Sequence, residues 1–277
     1  MMFTGVSTEC SRQRLIEICE NLVSNKTVYK RLEALFEELR KSPTMAFEVW
    51  SHDAMPIFLL QEVIAPYTII NTNKFSEENS SRLCMVLNIL QILVGDTQIK
   101  HVFVDARFPY YIYRYLMISD IDSRHEVLRI SSLGVIASLL KNGDQYVHKH
   151  LKITEIVPLL LKIVDIGPEE SQLLSANVFT AIIGNDDGLS YACQTFDRFS
   201  AINMMFNSLA SQSVGLKSTE LLKAVLKVYI RLCAKPHIRT LLSSKRPDGL
   251  FSADIERFVS SDPEAKGLFR RFVDLLG

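Results

Sequence analysis

Apolar residues recur at helical spacing from one end of this chain to the other, and no stretch alternates apolar and polar as a half-buried strand would. In "TVYKRLEALFEELRK", Val28, Leu32, Leu35 and Phe36 fall on one face and the charges on the other. "SRLCMVLNILQILVG" is apolar almost all round, which predicts a central, buried helix ending at Gly95. "HEVLRISSLGVIASLLKNG" repeats that pattern and stops at Asn142-Gly143; Gly134 inside it points to close helix packing. "TEIVPLLLKIVDIG" ends at Gly167, and Pro168 with Glu169 and Glu170 suits the start of the next helix. "TELLKAVLKVYIRLCAK" carries the stripe Leu221, Leu222, Val225, Val228, Tyr229 and Leu232, and breaks at Lys235-Pro236. Asp262-Pro263-Glu264 supplies a cap and first turn for a last helix. The longest break, "NTNKFSEENSS", reads as a loop that Ser76 or a neighbour caps into the following helix.

Long apolar helices at intervals of roughly 40 residues predict an all-α, armadillo/HEAT-like α-solenoid forming a single domain. Its armadillo-like part is expected over residues 41–277, continuous with helices in 1–40. A hydrophobic share of 48% against 22% charged residues suits helices covered on two sides. Lys+Arg and Asp+Glu are 31 each, so no global charge drives the chain toward nucleic acid. Charges interrupt every apolar run before the ~18 residues a membrane span needs. Charges near the start argue against a signal peptide. Five cysteines without a CxxC fit a reducing compartment, so cytoplasm, with the nucleus as a second setting, is the expected location.

Catalytic and metal chemistry finds little support in the motifs. Cys193 lacks a histidine in any nucleophile motif and reads as a buried thiol. Asp186 and Asp187, followed at once by Gly188, miss the calcium-loop spacing and read as a helix cap. His148 and His150 do not share a helix face as an i, i+4 ligand pair would. No cofactor or metal is expected. Two features point to binding instead. Lys223, Lys227 and Arg231 form a basic row at i, i+4, i+8, a possible anion patch whose alternative is an ordinary solvated face. Arg198 between Phe196 and Phe199 could stack on an incoming aromatic side chain; the alternative is two core phenylalanines and a solvated arginine.

Several blocks resemble one family in order and spacing: "LLQEV" (59–63), "SSRLC" (80–84), "FPYYIYRYL" (108–116), "EVLRISSLGVIASLLK" (126–141), "TEIVPLLLKI" (154–163), "DDGLSYACQTFDRFS" (186–200) and "LLKAVLKVYIRL" (221–232). They are similar to the armadillo-repeat subunit of the CCR–NOT deadenylase complex, the required-for-cell-differentiation (Rcd-one-like, Caf-forty) family. The first forty or so residues match poorly. The resemblance implies a non-catalytic adaptor that docks on the large NOT scaffold subunit and captures short linear motifs of RNA-binding and silencing proteins. Deadenylation would belong to other subunits.

Residue by residue, the implied scaffold surface follows Trp50 and continues along that helix through Ile57 and Ile64. Ser51, His52 and Asp53 stand where relatives carry an acidic or histidine residue and then an aromatic, and Val127 stands where they carry tyrosine. The implied tryptophan pocket maps to Phe196 (tyrosine in relatives), Arg198, and His237 (arginine in relatives). Leu174 falls on the implied peptide groove. Glu220 replaces an arginine tied to nucleic acid, which argues against direct nucleic-acid binding. The rival reading is an armadillo-type nucleic-acid binder using Lys223, Lys227 and Arg231. A homodimer is compatible with either.

Overall fold

The structure, a computed structural model, describes residues 4–24, 28–52, 54–119 and 122–277, with side chains from Arg12 to Leu22 and from Val28 onward within those ranges. Among the described residues every regular element is helical, so the all-α, solenoid-type fold read from periodicity is the fold observed. Contacts divide the helices into two compact units, Met1–Lys141 and Asn142–Gly277.

The first unit holds α1 (Thr4–Ser24), α2 (Val28–Lys41), α3 (Ala46–Ser51), α4 (Met55–Ile64), α5 (Glu77–Leu93), α6 (Thr97–Asp105), α7 (Phe108–Leu116) and α8 (Ser123–Leu140). The second holds α9 (Gln145–Lys152), α10 (Ile156–Ile166), α11 (Glu169–Gly184), α12 (Asp186–Ala192), α13 (Phe196–Gly215), α14 (Thr219–Leu232), α15 (Pro236–Ser244), α16 (Ala253–Val259) and α17 (Pro263–Leu276). Every third helix begins a new repeat: α2, α5, α8, α11, α14 and α17 start at 28, 77, 123, 169, 219 and 263. The step of about 44–50 residues is the armadillo/HEAT range.

These third helices form the cores, which is why their sequences are apolar nearly all round. In the first unit α5 lies against α8, and the two run parallel. Ser80 Oγ donates to Arg124 O near their starts (2.8 Å), and Ser138 Oγ donates to Gln91 O near their ends (2.8 Å). Gly134 faces α5 at this contact: an added Cβ would stand 2.7 Å from Oε1 at the far end of the flexible Gln91 side chain. In the second unit α14 lies between α11 and α17 and runs parallel to both: Arg231 near its end meets Ile183 near the end of α11, and Lys223 near its start meets Glu264 in the first turn of α17. Its expected stripe is fully buried, and Ala224, Leu226 and Lys223 are buried as well. So α14 is central rather than amphipathic at a surface. Burying one Leu or Val side chain stabilises by about 1.5–3 kcal/mol, so these shared helices dominate each unit's stability.

Helix ends follow the sequence signals with small shifts. Ser76 caps α5 in a reciprocal capping box with Asn79. Asp262 caps α17 by accepting from Ala265 N, with Pro263 as its first residue. Gly167 ends α10, but Pro168 is the cap of α11 and Glu169 its first residue. After α8 the chain turns through left-handed Asn142 (φ 70°) and Gly143 (φ 65°). No described helix is long and apolar enough to cross a membrane.

Candidate functional site

The joint between α12 and α13 carries the most distinctive surface of the second unit. Asn185, not the aspartates, caps α12: its Oδ1 accepts from Asp187 N (2.9 Å) and Gly188 N (3.4 Å). The aspartates occupy the first turn that follows. Gly188 is inside the helix because a Cβ there would lie 2.0 Å from Ile182 O. Three residues after α12 ends, Thr195 caps α13 by accepting from Arg198 N (3.3 Å).

Phe196 is therefore the first residue of α13 and stands 68% exposed, whereas Phe199 is buried. Side chains on a helix lean toward its N-terminus, so Arg198 folds back over the preceding joint. Its guanidinium carbon sits 4.2 Å from the Tyr191 ring centroid, and Nη1 donates to Gln194 Oε1 (2.6 Å) and Tyr191 O (3.4 Å). The sequence leaves Arg198 stacking on an incoming aromatic or facing water between two core phenylalanines; in the structure it stacks on the chain's own Tyr191, and only Phe199 is core.

Beside this stack lies an apolar cavity of about 330 Å³. Val157, Pro158 and Leu161 of α10 form one wall, Tyr191 and Ala192 another, and Asp197, Arg198, Ala201 and Ile202 of α13 the third. The volume is at the small end for ligand sites, suited to one large side chain. Of the three residues expected in a tryptophan pocket, only Arg198 lines it. Phe196 and His237, exposed on the first turn of α15, lie outside its lining.

The expected scaffold residues separate by burial. Trp50 is a core side chain, 8% exposed, with ring centroids 6.1 Å from Phe103 and 6.3 Å from Phe108. Its side chain is thus mostly turned inward: α3 has six residues, and its tryptophan plugs the space beside α6 and α7. Nor do Ile57 and Ile64 continue the same helix, since the chain turns at left-handed Ala54 (φ 66°) and they belong to α4. Seven residues apart, they share one face of α4, exposed by 62% and 36%, while Met55, Leu59 and Val63 face the core. Val127 of α8 is exposed and Ser51 is exposed at the end of α3. Asp53 lies outside the described residues. A second cavity of about 200 Å³ opens between α4 and α5, walled by the two-point Arg82–Glu62 ion pair at 2.6 Å.

The basic row is not an open anion patch. Lys223 is buried, with Nζ 2.5 Å from Glu220, 3.1 Å from Glu264 and 3.6 Å from Asp262. Lys227 Nζ is 3.6 Å from Glu264. Arg231 donates to Ile183 O (2.7 Å), Gly184 O (3.0 Å) and Asp186 Oδ1 (2.6 Å). Helical spacing could not reveal that acids from α17 and α12 would meet these cations. Glu220 belongs to this network, exposed at the start of α14, and Leu174 is half-buried on α11.

The comparisons with known proteins settle the family. The model of the cell differentiation family, Rcd1-like, matches residues 18–276. The chain belongs to the Rcd1-like family. It is 31% identical over 245 residues to the cell differentiation protein rcd1 of Schizosaccharomyces pombe, covering 88% of this chain and 87% of that one. It is also 31% identical over 237 residues to protein CAF40 of Saccharomyces cerevisiae, covering 83% of this chain and 64% of the relative. The crystal structure of an engineered protein shares the fold, with a TM-score of 0.62 at 13% identity over 95% of this chain and 96% of that one.

In this Rcd1-like chain the residues once weighed for catalysis have structural occupations. Burial pushes the Cys193 thiol up, against a smaller opposing pull from Lys235, so it is held as the unreactive thiol. Asp186 binds Arg231, and Asp187 Oδ2 is 3.8 Å from Lys152 Nζ. His148 is buried, and burial lowers its pKa, favouring the neutral ring. His150 Nδ1 lies 3.0 Å from Tyr146 O. Among the described residues no group of three or more His, Cys, Asp or Glu could hold a metal. Sequence reasoning missed Tyr191 and the α10 wall. Tyr191, an aromatic seven residues before Arg198, was the available signal.

Proposed function

We propose that this chain is a non-catalytic adaptor subunit of the CCR–NOT deadenylase complex. Membership of the Rcd1-like family supports the assignment to the complex. The single observation that carries the adaptor role is the apolar cavity roofed by Arg198 on Tyr191. A preformed cation–aromatic edge beside a side-chain-sized hollow suits capture of an aromatic anchor from a short linear motif, a tryptophan above all. Exposed Ile57, Ile64 and Val127 are the side chains that would dock on the large NOT scaffold subunit, and the α11–α14 face with Leu174 would take amphipathic peptides.

The mechanism is recruitment to a messenger RNA in the cytoplasm, and in the nucleus where the complex acts there. A partner held by several weak contacts raises the local concentration of nuclease at one transcript, promoting deadenylation, decay and repression. Co-purification under gentle lysis tests the reading. The scaffold subunit and the deadenylases are expected with this chain; their absence overturns the proposal. The nucleic-acid alternative has less support, because Lys223 is buried and all three cations lie within 3.6 Å of carboxylates.

A further inference from the structure

Asn142 and Gly143 stand at the boundary of the two units, after α8 has ended and before α9 begins. Both are exposed and both hold left-handed backbone, φ 70° and 65°. Asparagine and glycine adopt that conformation at least cost, which explains the helix stop. The same pair has covalent chemistry of its own. The glycine's backbone nitrogen is a latent nucleophile, and the neighbouring carboxamide or carboxyl carbon is an electrophile within reach of a five-membered ring. A fold suppresses this reaction by holding the nitrogen or by denying the backbone room to rotate.

The chain has three pairs in which a following glycine leaves such a ring least hindered: Asn142-Gly143, Asp187-Gly188 and Asp248-Gly249. Two are locked. Gly188 is jammed in α12 against the Ile182 backbone, its Cβ position 2.0 Å from Ile182 O. Gly249 N donates to Asn207 Oδ1 (2.8 Å), and its Cβ position is 2.2 Å from Asn207 O. Gly143 has nothing within 4 Å of its Cβ position. With Asn142 ψ at 9°, attack requires rotation about that bond and opening of the single, exposed 3-10 turn Lys141–Gly143, where the Gly143 Cβ position meets no other atom within 4 Å.

We propose that Asn142 is a site of spontaneous deamidation in the native protein. The Gly143 nitrogen gives its proton to water or hydroxide and bonds to Asn142 Cγ. The Cγ–Nδ2 bond breaks, and ammonia leaves with a proton taken from solvent. Water then opens the cyclic imide at either carbonyl, leaving aspartate or isoaspartate at position 142. The isoaspartate product adds one carbon to the main chain and one negative charge. Both changes fall two residues before Asp144, whose carboxylate caps α9 by accepting from Tyr146 N (2.9 Å) and Val147 N (3.3 Å).

The test is incubation of the folded full chain in mildly alkaline buffer at body temperature. Peptide mass spectrometry follows the amide-to-acid mass gain, and labelling by an isoaspartyl methyltransferase reads isoaspartate. Gain at Asn142 should outrun every other asparagine severalfold, with isoaspartate at 142 and not at 187 or 248. Gly143→Asn, which tolerates left-handed backbone but hinders attack, should suppress it. Equal rates at all asparagines, an undiminished rate in Gly143→Asn, or reaction only in the urea-unfolded chain would each overturn the proposal.

Discussion

Lys223 Nζ lies 3.1 Å from Glu264 Oε2, and this bond fastens the early part of α14 to the first turn of α17. Bonds to Glu220 and then Glu264 raise the lysine's pKa, so the cation persists across the working range. Replacing it with an apolar residue, Lys223→Met, leaves Glu220, Asp262 and Glu264 facing one another. The expected outcome is a lower Tm whose deficit shrinks as salt is added, because screening relieves the repulsion. Thermal melts at low and high salt check it; a salt-independent deficit would assign the loss to packing instead.

Two glycine substitutions should differ in sign. At Gly134 the new Cβ meets only the far end of Gln91, which can swing aside, and alanine gains up to about 1 kcal/mol of helix propensity. Gly134→Ala should be near neutral or slightly stabilising. At Gly188 the Cβ meets the Ile182 backbone, so Gly188→Ala should cost about 1–3 kcal/mol or more. Urea denaturation of the pair decides.

Trp50 and Ile57 should part company in the same assay. Trp50→Ala empties a site among Phe103 and Phe108 and should cost about 3–5 kcal/mol. Ile57→Asp changes an exposed side chain and should leave stability within about 0.5 kcal/mol while reducing recovery of the scaffold subunit. A stable Ile57→Asp protein that retains its scaffold would remove α4 from the docking surface.

Arg198→Glu should leave the fold intact, since Arg198 makes its bonds on an exposed surface. It removes the cation stacked on Tyr191 and adds a second acid beside Asp197. A cation–π contact contributes about 0.5–1 kcal/mol at an exposed site and more when desolvated, so roughly tenfold weaker capture of tryptophan peptides is expected. Calorimetric titration with unchanged affinity would make Arg198 a bystander.

Acid should release the segment before α5. Asp122 accepts from His125 Nδ1 (2.7 Å), His125 N (3.0 Å) and Arg124 Nη2 (2.7 Å), while His125 Nε2 lies 3.0 Å from Ile70 O. Partial burial opposes the carboxylate's charge, but these bonds outweigh it and bring the pKa from 3.8 to about 2. A depressed folded pKa means stability present above the unfolded value and lost as pH falls from about 4 to about 2. Asp122→Asn should flatten that part of the stability–pH curve; a curve parallel to wild type would sink the assignment.

Local rules carried most of the fold. Caps at Ser76 and Asp262, the stop at Asn142-Gly143 and the all-round apolar α5 were legible because each depends on neighbours in sequence. The site was legible in part. Arg198 stood out, but its partner Tyr191 and the wall of Val157, Pro158 and Leu161 come together only when α10 packs on α13. The basic row misled for the same reason: Asp186, Asp262 and Glu264 reach it from other helices. The inward packing of Trp50 was not legible, because a resemblance marks where a surface runs, not which side chain faces inward.

The parallel packing of α11, α14 and α17 aligns three helix macrodipoles, which repel sideways unless their ends are compensated. Glu169 and Glu170, Glu220, and Asp262 with Glu264 sit where these helices begin, and Arg231 sits where α14 ends. Such end charges contribute about 0.3–1 kcal/mol each. A chain with no net charge thus carries an electrical polarity across three of its helices, set by their direction before any partner arrives.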